Sequence, residues 1–295
     1  MIERAAVLQL HDYLDTNSLF APRQSAYRSL HSCETALLRV YNDLLLSVDR
    51  GDEAAVVLLD YSAAFDTISH TILLQRLQNR FGLHGLALDW VKTYFLGRSQ
   101  SVIVESSESV KTYPKEGVPQ GSVFGPLAFS LYVSPLEDVI ANHGVSRMVY
   151  ADDTQTYVVF KRQDAISAVS IIEECLEKVK VWSSCNSLCL NESKTELIHV
   201  TSRYRQTTCL NISFNNHKLN TVDRVRNLGV IFDNNLLMVN HISKICQSAS
   251  LSLYKIGKIR QFLDEGMTVK LVHAFISCHI DYCNILLYML PDTLS

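Results

Sequence analysis

The sequence lacks several features that would assign it to a class at once. Bulk positive charge is absent, because 27 lysines and arginines face 30 aspartates and glutamates, for a formal net charge of −3. This balance does not indicate nucleic-acid binding by overall charge, although it is compatible with a basic cleft on a mildly acidic surface. Internal repeats and low-complexity linkers are also absent, so nothing divides the chain into repeated units or flexible spacers.

Targeting and membrane signals are lacking as well. The stretch "MIERAAVLQLHDYLD" carries charge throughout and has no uninterrupted apolar run, so no secretory signal peptide is predicted. Further on, "AFISCHIDYCNILLYML" is interrupted by His279, Asp281 and Asn284. No stretch is long and apolar enough to span a membrane. We therefore expect an intracellular protein, in the nucleus or the cytoplasm, with no membrane partner.

Cysteine pairs spaced for zinc are missing too. "CNSLC" and "CHIDYC" do not form the tight double pairs of a zinc site, and in a chain without a secretion signal reduced thiols are the default. Buried, inert thiols are therefore predicted in preference to a metal site. The eight cysteines are Cys33, Cys175, Cys185, Cys189, Cys209, Cys246, Cys278 and Cys283.

What the sequence does contain is a substantial apolar fraction. Of its 295 residues, 47% are apolar and 19% are charged, which is typical of a globular chain with one large or two to three small domains. Helical patterns occupy the two ends, and short strands and helices alternate irregularly between them. Hairpins outnumber strict strand–helix–strand units. This order predicts an α+β fold with an antiparallel sheet and a helical C-terminal part.

Local patterns place the main elements. "EAAVVLLD" is a short apolar run that predicts a strand buried on both faces and ending at Asp60. "RMVYADDTQTYVVF" predicts a hairpin with two aspartates at its tip, and "SVIVESSESVKTYP" a hairpin that turns at "SSES". "NLGVIF" is predicted as a single strand.

Two further patterns concern turns and helix ends. In "PLAFSLYVSPLEDVIANHG", Pro135 is expected to kink the helix or to begin a second one. Asn215 and Asn216 are expected to form a hairpin turn.

The adjacent aspartates Asp152 and Asp153 raise the question of chemistry. Most such pairs mark a tight turn, because an aspartate side chain bonds to its own backbone. The alternative is a divalent metal held where phosphate chemistry occurs. A third carboxylate favours the second interpretation, and Asp60 supplies one if the hairpin lies beside its strand. Three acids at about 4 Å repel by roughly 4 kcal/mol per pair at an effective dielectric near 20, so they require protonation or cations.

Three motifs in this order resemble a known family. "LLDYSAAFDTISH", "GVPQGSVFGPLAF" and "YADDTQTY" are similar to the palm motifs of reverse transcriptases, most of all those of non-LTR retrotransposons of the LINE-type, jockey-like kind. Further resemblance lies outside the palm. "QSAYRSLHSCETALLRV" resembles a fingers segment, "NSLCLNESKTE" a lysine-bearing motif, "LGVIFD" the primer grip and "HIDYCN" a segment near the end of the thumb.

The resemblance implies a right-hand polymerase fold and RNA-directed DNA synthesis. It places partial fingers at residues 1–50, a palm at 51–235 with a finger insertion around 75–116, and a helical thumb at 236–295. The implied partners are an RNA template, a DNA primer and dNTPs, and the implied cofactor is a pair of Mg²⁺ ions, with Mn²⁺ as a substitute.

The resemblance also implies roles for individual residues. Asp60, Asp152 and Asp153 would be the metal ligands. Phe65 would stack under the deoxyribose and collide with a ribose 2′-OH, and Gln120 would contact the incoming nucleotide. Without the family, Phe65 is expected in the core and Gln120 in an ordinary loop.

Three more residues carry an implied role. Gly121 would let the backbone approach a base or sugar, although a turn glycine is the simpler explanation. Lys194 would protonate the pyrophosphate leaving group; without the family, a solvated surface lysine is the alternative interpretation. Arg28 would contact template or triphosphate oxygens, and a salt bridge on a helix surface is the alternative.

Parts of the longer retrotransposon proteins are not matched. An upstream endonuclease domain and a nucleic-acid-binding tail are missing, so a piece of a longer element or a genomic relic is expected. The alternative function is a truncated, non-catalytic descendant that binds nucleic acid or protein. An RNA-dependent RNA polymerase is disfavoured, because Phe65 at the gate position favours deoxynucleotides.

Overall fold

The computed structural model describes residues 1–205, 210–215 and 217–288. Cys209 and Asn216 lie outside this part, and so does the full Asn215–Asn216 turn. The other cysteines are free thiols, as predicted: Cys33, Cys175, Cys185, Cys189, Cys246, Cys278 and Cys283. Four of them (Cys185, Cys189, Cys246 and Cys278) are exposed rather than buried, because they lie at helix ends or on outward faces.

Helices are the most extensive elements of the described chain. Ser32 begins the second helix with a reciprocal capping box to Thr35, which satisfies backbone donors at its first turn. The α-helices are α1 (Ile2–Thr16), α2 (Cys33–Asp49), α3 (His70–Asn79), α4 (Gly85–Phe95), α5 (Phe124–Ala141), α6 (Ala165–Cys185), α7 (Val239–Ile259), α8 (Glu265–Val272) and α9 (Cys278–Asp281). A short π-helix, His273–Ser277, joins α8 to α9.

The strands are short. They are β1 (Glu53–Leu59), β2 (Tyr61–Ser62), β3 (Ile103–Val104), β4 (Ser107–Glu108), β5 (Ser146–Tyr150), β6 (Asp153–Phe160), β7 (Cys189–Leu190), β8 (Glu196–Val200), β9 (Ile212–Phe214), β10 (His217–Leu219), β11 (Thr221–Val222), β12 (Arg224–Asn227) and β13 (Val230–Asp233). Five of them form the main sheet in the order β11-β8-β1-β6-β5. Its pairs are antiparallel except for β11 with β8, so the predicted α+β class is confirmed.

Strand β1 lies at the centre of this sheet because its sequence can be buried on both faces. Ala55 and Val57 point into one apolar cluster, packed with α3, α5 and α6, while Ala54 and Val56 point into another, packed with α2. The alternation follows the two-residue period of a strand. The prediction that this continuous apolar run forms a strand buried on both faces is therefore confirmed.

Three sequence predictions need correction. "NLGVIF" is not one strand but the inner part of a hairpin, since Leu228 (φ 42°) and Gly229 (φ 87°) turn the chain between β12 and β13. The exposed hairpin of β3 and β4 turns at Glu105–Ser106, since Val104 pairs with Ser107. Helix α5 begins at Phe124 and continues past Pro135, so a second helix beginning there is wrong, while the alternative of a kink at Pro135 stays a prediction.

The C-terminal helices extend away from the sheet but return to it. The hydroxyl of Tyr282 donates to the carbonyl of Leu228 at 2.7 Å, and Leu286 is fully buried in the cluster around α2. Across the described residues, we find no helix with both the length and the apolar character that crossing a bilayer requires. The division into fingers, palm and thumb at the stated boundaries stays a prediction.

Candidate active site

The acidic turn lies where two hairpin strands meet the end of the central strand. Tyr150 pairs with Asp153, so only Ala151 and Asp152 form the turn, and Asp153 is the first residue of β6 rather than part of the tip. Leu59 pairs with Thr154, which brings Asp60, the residue after β1, to the same edge of the sheet as Asp153. The three acids predicted from the sequence therefore belong to one edge.

Electrostatics reflect this proximity. Desolvation raises the pKa of Asp153 to about 6, with further contributions from the charges of Asp152 and Asp60. More than a third of Asp153 is nevertheless open to water, so solvent screens the repulsion and we assign it no stability cost. Asp60 Oδ2 is buried and finds no hydrogen-bond partner among the described residues. Its nearest counter-charge is Lys194, whose Nζ lies 3.7 Å away and whose side chain is 69% exposed.

The carboxylate oxygens are of the type that binds a cation, but they do not form a complete coordination site among the described residues. Carboxylate oxygens are the ligands that Mg²⁺ prefers, and a buried carboxylate oxygen without a donor is a position that a cation would satisfy. Within residues 1–205, 210–215 and 217–288, however, no three His, Cys, Asp or Glu side chains are spaced to hold one metal ion together. The chain thus brings three carboxylates to one edge of the sheet, and holding one metal ion would require their side chains to converge.

A cavity of about 460 Å³ opens beside the acids. It brings together Asp152, Phe65, Gln120 and Gly121, four of the residues singled out in the sequence. Gln120 and Gly121 are exposed, and Phe65 is half-buried. Gly121 has φ 78° and would meet no atom within 4 Å if it carried a Cβ, so the turn conformation explains this glycine better than crowding does.

Phe65 is held by an aromatic stack. Its ring lies 4.4 Å from the ring of Phe129, centroid to centroid, with an interplanar angle of 21°. Phe129 is fully buried in helix α5. The stack packs Phe65 against the core, while Phe65 also lines the cavity.

Backbone hydrogen bonds tie the loop that carries Gln120 to the segment that carries Phe65. Val118 N–H donates to the carbonyl of Phe65 at 3.0 Å, and Gly117 N–H donates to that of Ile68 at 2.8 Å. The side-chain nitrogen Nε2 of His70 lies 2.7 Å from the carbonyl of Gly117. The two walls of the cavity are therefore fixed to each other by main-chain contacts.

Arg28 does not line this cavity. It lies in a loop rather than on a helix, and its guanidinium lies over the ring of Phe20, 5.1 Å from the centroid. Its Nη1 donates to the carbonyl of Ala21 at 3.4 Å. These contacts differ from the expected salt bridge on a helix surface, and a contact of Arg28 with template or triphosphate oxygens stays a prediction.

Sequence analysis missed Gln24 and Tyr27, which lie on the segment beside the acidic turn. Oε1 of Gln24 accepts from the N–H of Ala151 at 3.2 Å. The pKa of Tyr27 is raised by burial and by the charge of Asp152. The sequence signal was present, since both residues belong to "QSAYR", but nothing in their spacing indicated which of them would reach the turn.

The chain belongs to the reverse transcriptase family, because the family described as "Reverse transcriptase (RNA-dependent DNA polymerase)" matches residues 1–232. Among its relatives is the RNA-directed DNA polymerase from mobile element jockey of Drosophila funebris, 25% identical over 262 residues and aligned with 87% of this chain. The jockey protein of Drosophila melanogaster is 28% identical over 254 residues, which make up 84% of this chain. The jockey-like resemblance predicted from the motifs is confirmed.

The chain spans only about a quarter of those relatives, 28% and 27% of their respective lengths. Among solved structures, telomerase from Candida albicans in complex with a TWJ fragment of telomeric RNA superposes with a TM-score of 0.51 at 12% identity, over 97% of this chain and 51% of that one. The corresponding Candida tropicalis complex gives 0.52 at 11% identity, over 96% of this chain and 45% of that one. At such identities the likeness shows the fold alone.

Proposed function

We propose that this chain is the polymerising core of an RNA-directed DNA polymerase, which extends a DNA primer on an RNA template with dNTPs. The observation that carries the proposal is the cavity in which Asp152, Phe65, Gln120 and Gly121 meet, next to Asp60 and Asp153. An acidic cluster beside a nucleotide-sized cavity with an aromatic wall suits phosphoryl transfer from a nucleoside triphosphate.

Each residue has a defined task in this proposal. Asp60, Asp152 and Asp153 would hold the metal, and Phe65 would exclude a ribose 2′-OH by contact with C2′. Gln120 and the backbone at Gly121 would contact the base and sugar. Two Mg²⁺ ions bound by the carboxylates would lower the pKa of the primer 3′-hydroxyl and steady the leaving pyrophosphate.

Lys194 completes the set. Its Nζ lies 3.7 Å from Asp60 Oδ2, and this position beside the proposed metal ligands supports a role in proton transfer. An exposed ammonium on a flexible stem can move by the small distance that proton donation requires. We therefore assign Lys194 the role of general acid.

Primer extension tests the function. The purified chain, an RNA template, a labelled DNA primer and dNTPs should give Mg²⁺-dependent extension, and Asp152→Asn should reduce its rate by at least about a hundredfold because it removes one full negative charge from the metal site. Asp164→Asn is the matched control, since Asp164 is exposed and its side chain does not cap the helix it precedes. Equal extension by parent and Asp152→Asn would refute the assignment.

One observation favours a second candidate, a non-catalytic descendant that binds nucleic acid. In the described ranges the acids lack a complete three-ligand set, and the ammonium of Lys194 already neighbours Asp60. Such a protein would bind a primer–template duplex and extend it in neither Mg²⁺ nor Mn²⁺. Binding measured by fluorescence anisotropy, beside the extension assay, separates the two functions.

A further inference from the structure

A segment before helix α2 runs along the outer edge of the hairpin that carries the acids. Gln24 forms a parallel bridge with Val149 of β5. Ser25 N–H donates to the carbonyl of Val149 at 2.9 Å, and Val149 N–H donates to that of Arg23 at 3.0 Å. The segment therefore covers the edge strand and lies beside the acidic turn.

The side chain of Gln24 reaches into that turn. Gln24 is 3% exposed, and its Oε1 accepts two backbone hydrogen bonds, from Ala26 N–H at 2.9 Å and from Ala151 N–H at 3.2 Å. The first fixes the amide to its own segment, and the second fixes it to the hairpin. One oxygen atom thus joins the two pieces of chain.

Ala151 is the residue in the turn that most needs such support. It has φ 56°, in the left-handed region that alanine rarely adopts, and it is buried. It immediately precedes Asp152, whose position at the cavity depends on this backbone conformation. A left-handed residue persists where its surroundings determine it, and such residues occur often at functional sites.

The chemistry of the amide explains why glutamine suits this position. Its oxygen accepts two N–H groups without adding charge, whereas a carboxylate would place a further negative charge beside the three acids. Nε2 of Gln24 is buried and has no hydrogen-bond partner in the described part of the chain. The hydrogen bonds that offset the cost of burying this amide are therefore those of its oxygen.

We propose that Gln24 is a positioning residue for the acidic turn: its Oε1 holds Ala151 in the left-handed conformation and so directs Asp152 toward the nucleotide cavity. This inference rests on the proposed polymerase function for its kinetic consequence. The hydrogen bond itself can be tested without any activity.

Amide-resolved hydrogen exchange tests the contact directly. In Gln24→Met, which keeps the length but removes the acceptor, the Ala151 amide should exchange about tenfold faster or more, while the Val149 amide, bonded to a backbone carbonyl, changes less than about twofold. Ser25→Ala, a change at the neighbouring buried residue, should leave Ala151 protected.

Kinetics of the full chain provide the second test. Gln24→Met should lower kcat for primer extension by about tenfold or more, with KM for dNTP and primer–template affinity within about threefold of the parent, because the turn is misplaced while the binding surfaces remain. Ser25→Ala should keep parental kcat.

Specific outcomes overturn the proposal. They are unchanged exchange at Ala151 in Gln24→Met, or equal acceleration at Ala151 and Val149. A parental kcat for Gln24→Met would do the same. If the parent itself fails to extend a primer, the polymerase function fails, while the exchange result still decides whether Gln24 holds the turn.

Discussion

The ammonium of Lys194 lies 3.7 Å from Asp60 Oδ2, a buried oxygen that has no hydrogen-bond partner in the part of the chain that the structure describes. Because the Lys194 side chain is 69% exposed, the ion pair contributes little to folding, within about 1 kcal/mol. We therefore look for the role of Lys194 in the proposed chemistry and not in the stability of the fold.

Replacing Lys194 should separate stability from activity. We expect Lys194→Met to change the free energy of unfolding by less than about 1 kcal/mol and to lower the rate of nucleotide addition by about a hundredfold, in the range that a lost general acid gives. Chemical denaturation and single-turnover extension measure the two effects. Lys178→Met, at an exposed lysine on helix α6, is the control. A rate within twofold of the parent would remove Lys194 from the mechanism.

Phe65 offers a prediction about substrate choice. In Phe65→Val the smaller side chain should admit a ribose 2′-OH, so the preference for dNTP over rNTP should fall by about tenfold or more. Competitive incorporation of the two nucleotides measures it. Phe129→Leu is the matched control, because Phe129 holds the same aromatic stack from the buried side and does not line the cavity. If both variants lower the preference for dNTP equally, looser packing of the cavity wall would be responsible, and Phe65 would not be a steric gate.

Two glycines with positive φ should differ sharply in their tolerance of a side chain. A Cβ on Gly117 (φ 82°) would lie 2.8 Å from the carbonyl oxygen of Asp66, whereas one on Gly97 (φ 75°) would meet nothing within 4 Å. We expect Gly97→Ala to cost about 1 kcal/mol, from backbone strain alone, and Gly117→Ala about 3 kcal/mol, because the loop bearing Gln120 must also shift. Urea denaturation measures both, and equal costs would show that the close approach is relieved without strain.

The central strand and the hairpin that carries the acids could be predicted from the sequence because both depend on local signals. The continuous apolar run of β1 requires burial on both faces, and an aspartate such as Asp152 suits a tight turn. The position of Asp60 beside Asp153 depends instead on the long-range pairing of Leu59 with Thr154. Family resemblance then supplied the partners Phe65, Gln120 and Gly121, which the fold brings into one cavity.

The contacts that were missed depend on tertiary structure. A leucine at φ 42° gives no turn signal, so the Leu228–Gly229 hairpin was read as one strand. The position of Arg28 over Phe20 and the contact of Gln24 with Ala151 join segments that no local period relates. Such contacts are decided by which loop covers which strand edge, and a single sequence does not specify that.

A buried histidine should make folding stability depend on pH. His241, near the start of helix α7, is 5% exposed. Its Nδ1 accepts from the N–H of Ile231 at 3.5 Å, and its Nε2 has no hydrogen-bond partner within residues 1–205, 210–215 and 217–288. Desolvation lowers the pKa of His241 below its ordinary value of 6.5. The positive end of the helix dipole, close by, also disfavours a charged imidazole.

The sign of the effect follows from proton linkage. A histidine whose pKa is lower in the folded chain binds its proton more readily when unfolded, so the free energy of unfolding falls as pH falls through about 6.5 toward the lower folded-state pKa. In that window, protonation of His241 lowers the free energy of unfolding by up to about 1.4 kcal/mol for each unit by which the pH falls. Urea denaturation of the parent between about pH 7.5 and 5 should therefore show a decline that His241→Asn reduces. His84→Asn, at an exposed histidine before helix α4, should retain the parental decline, and parallel curves for the parent and His241→Asn would contradict the prediction.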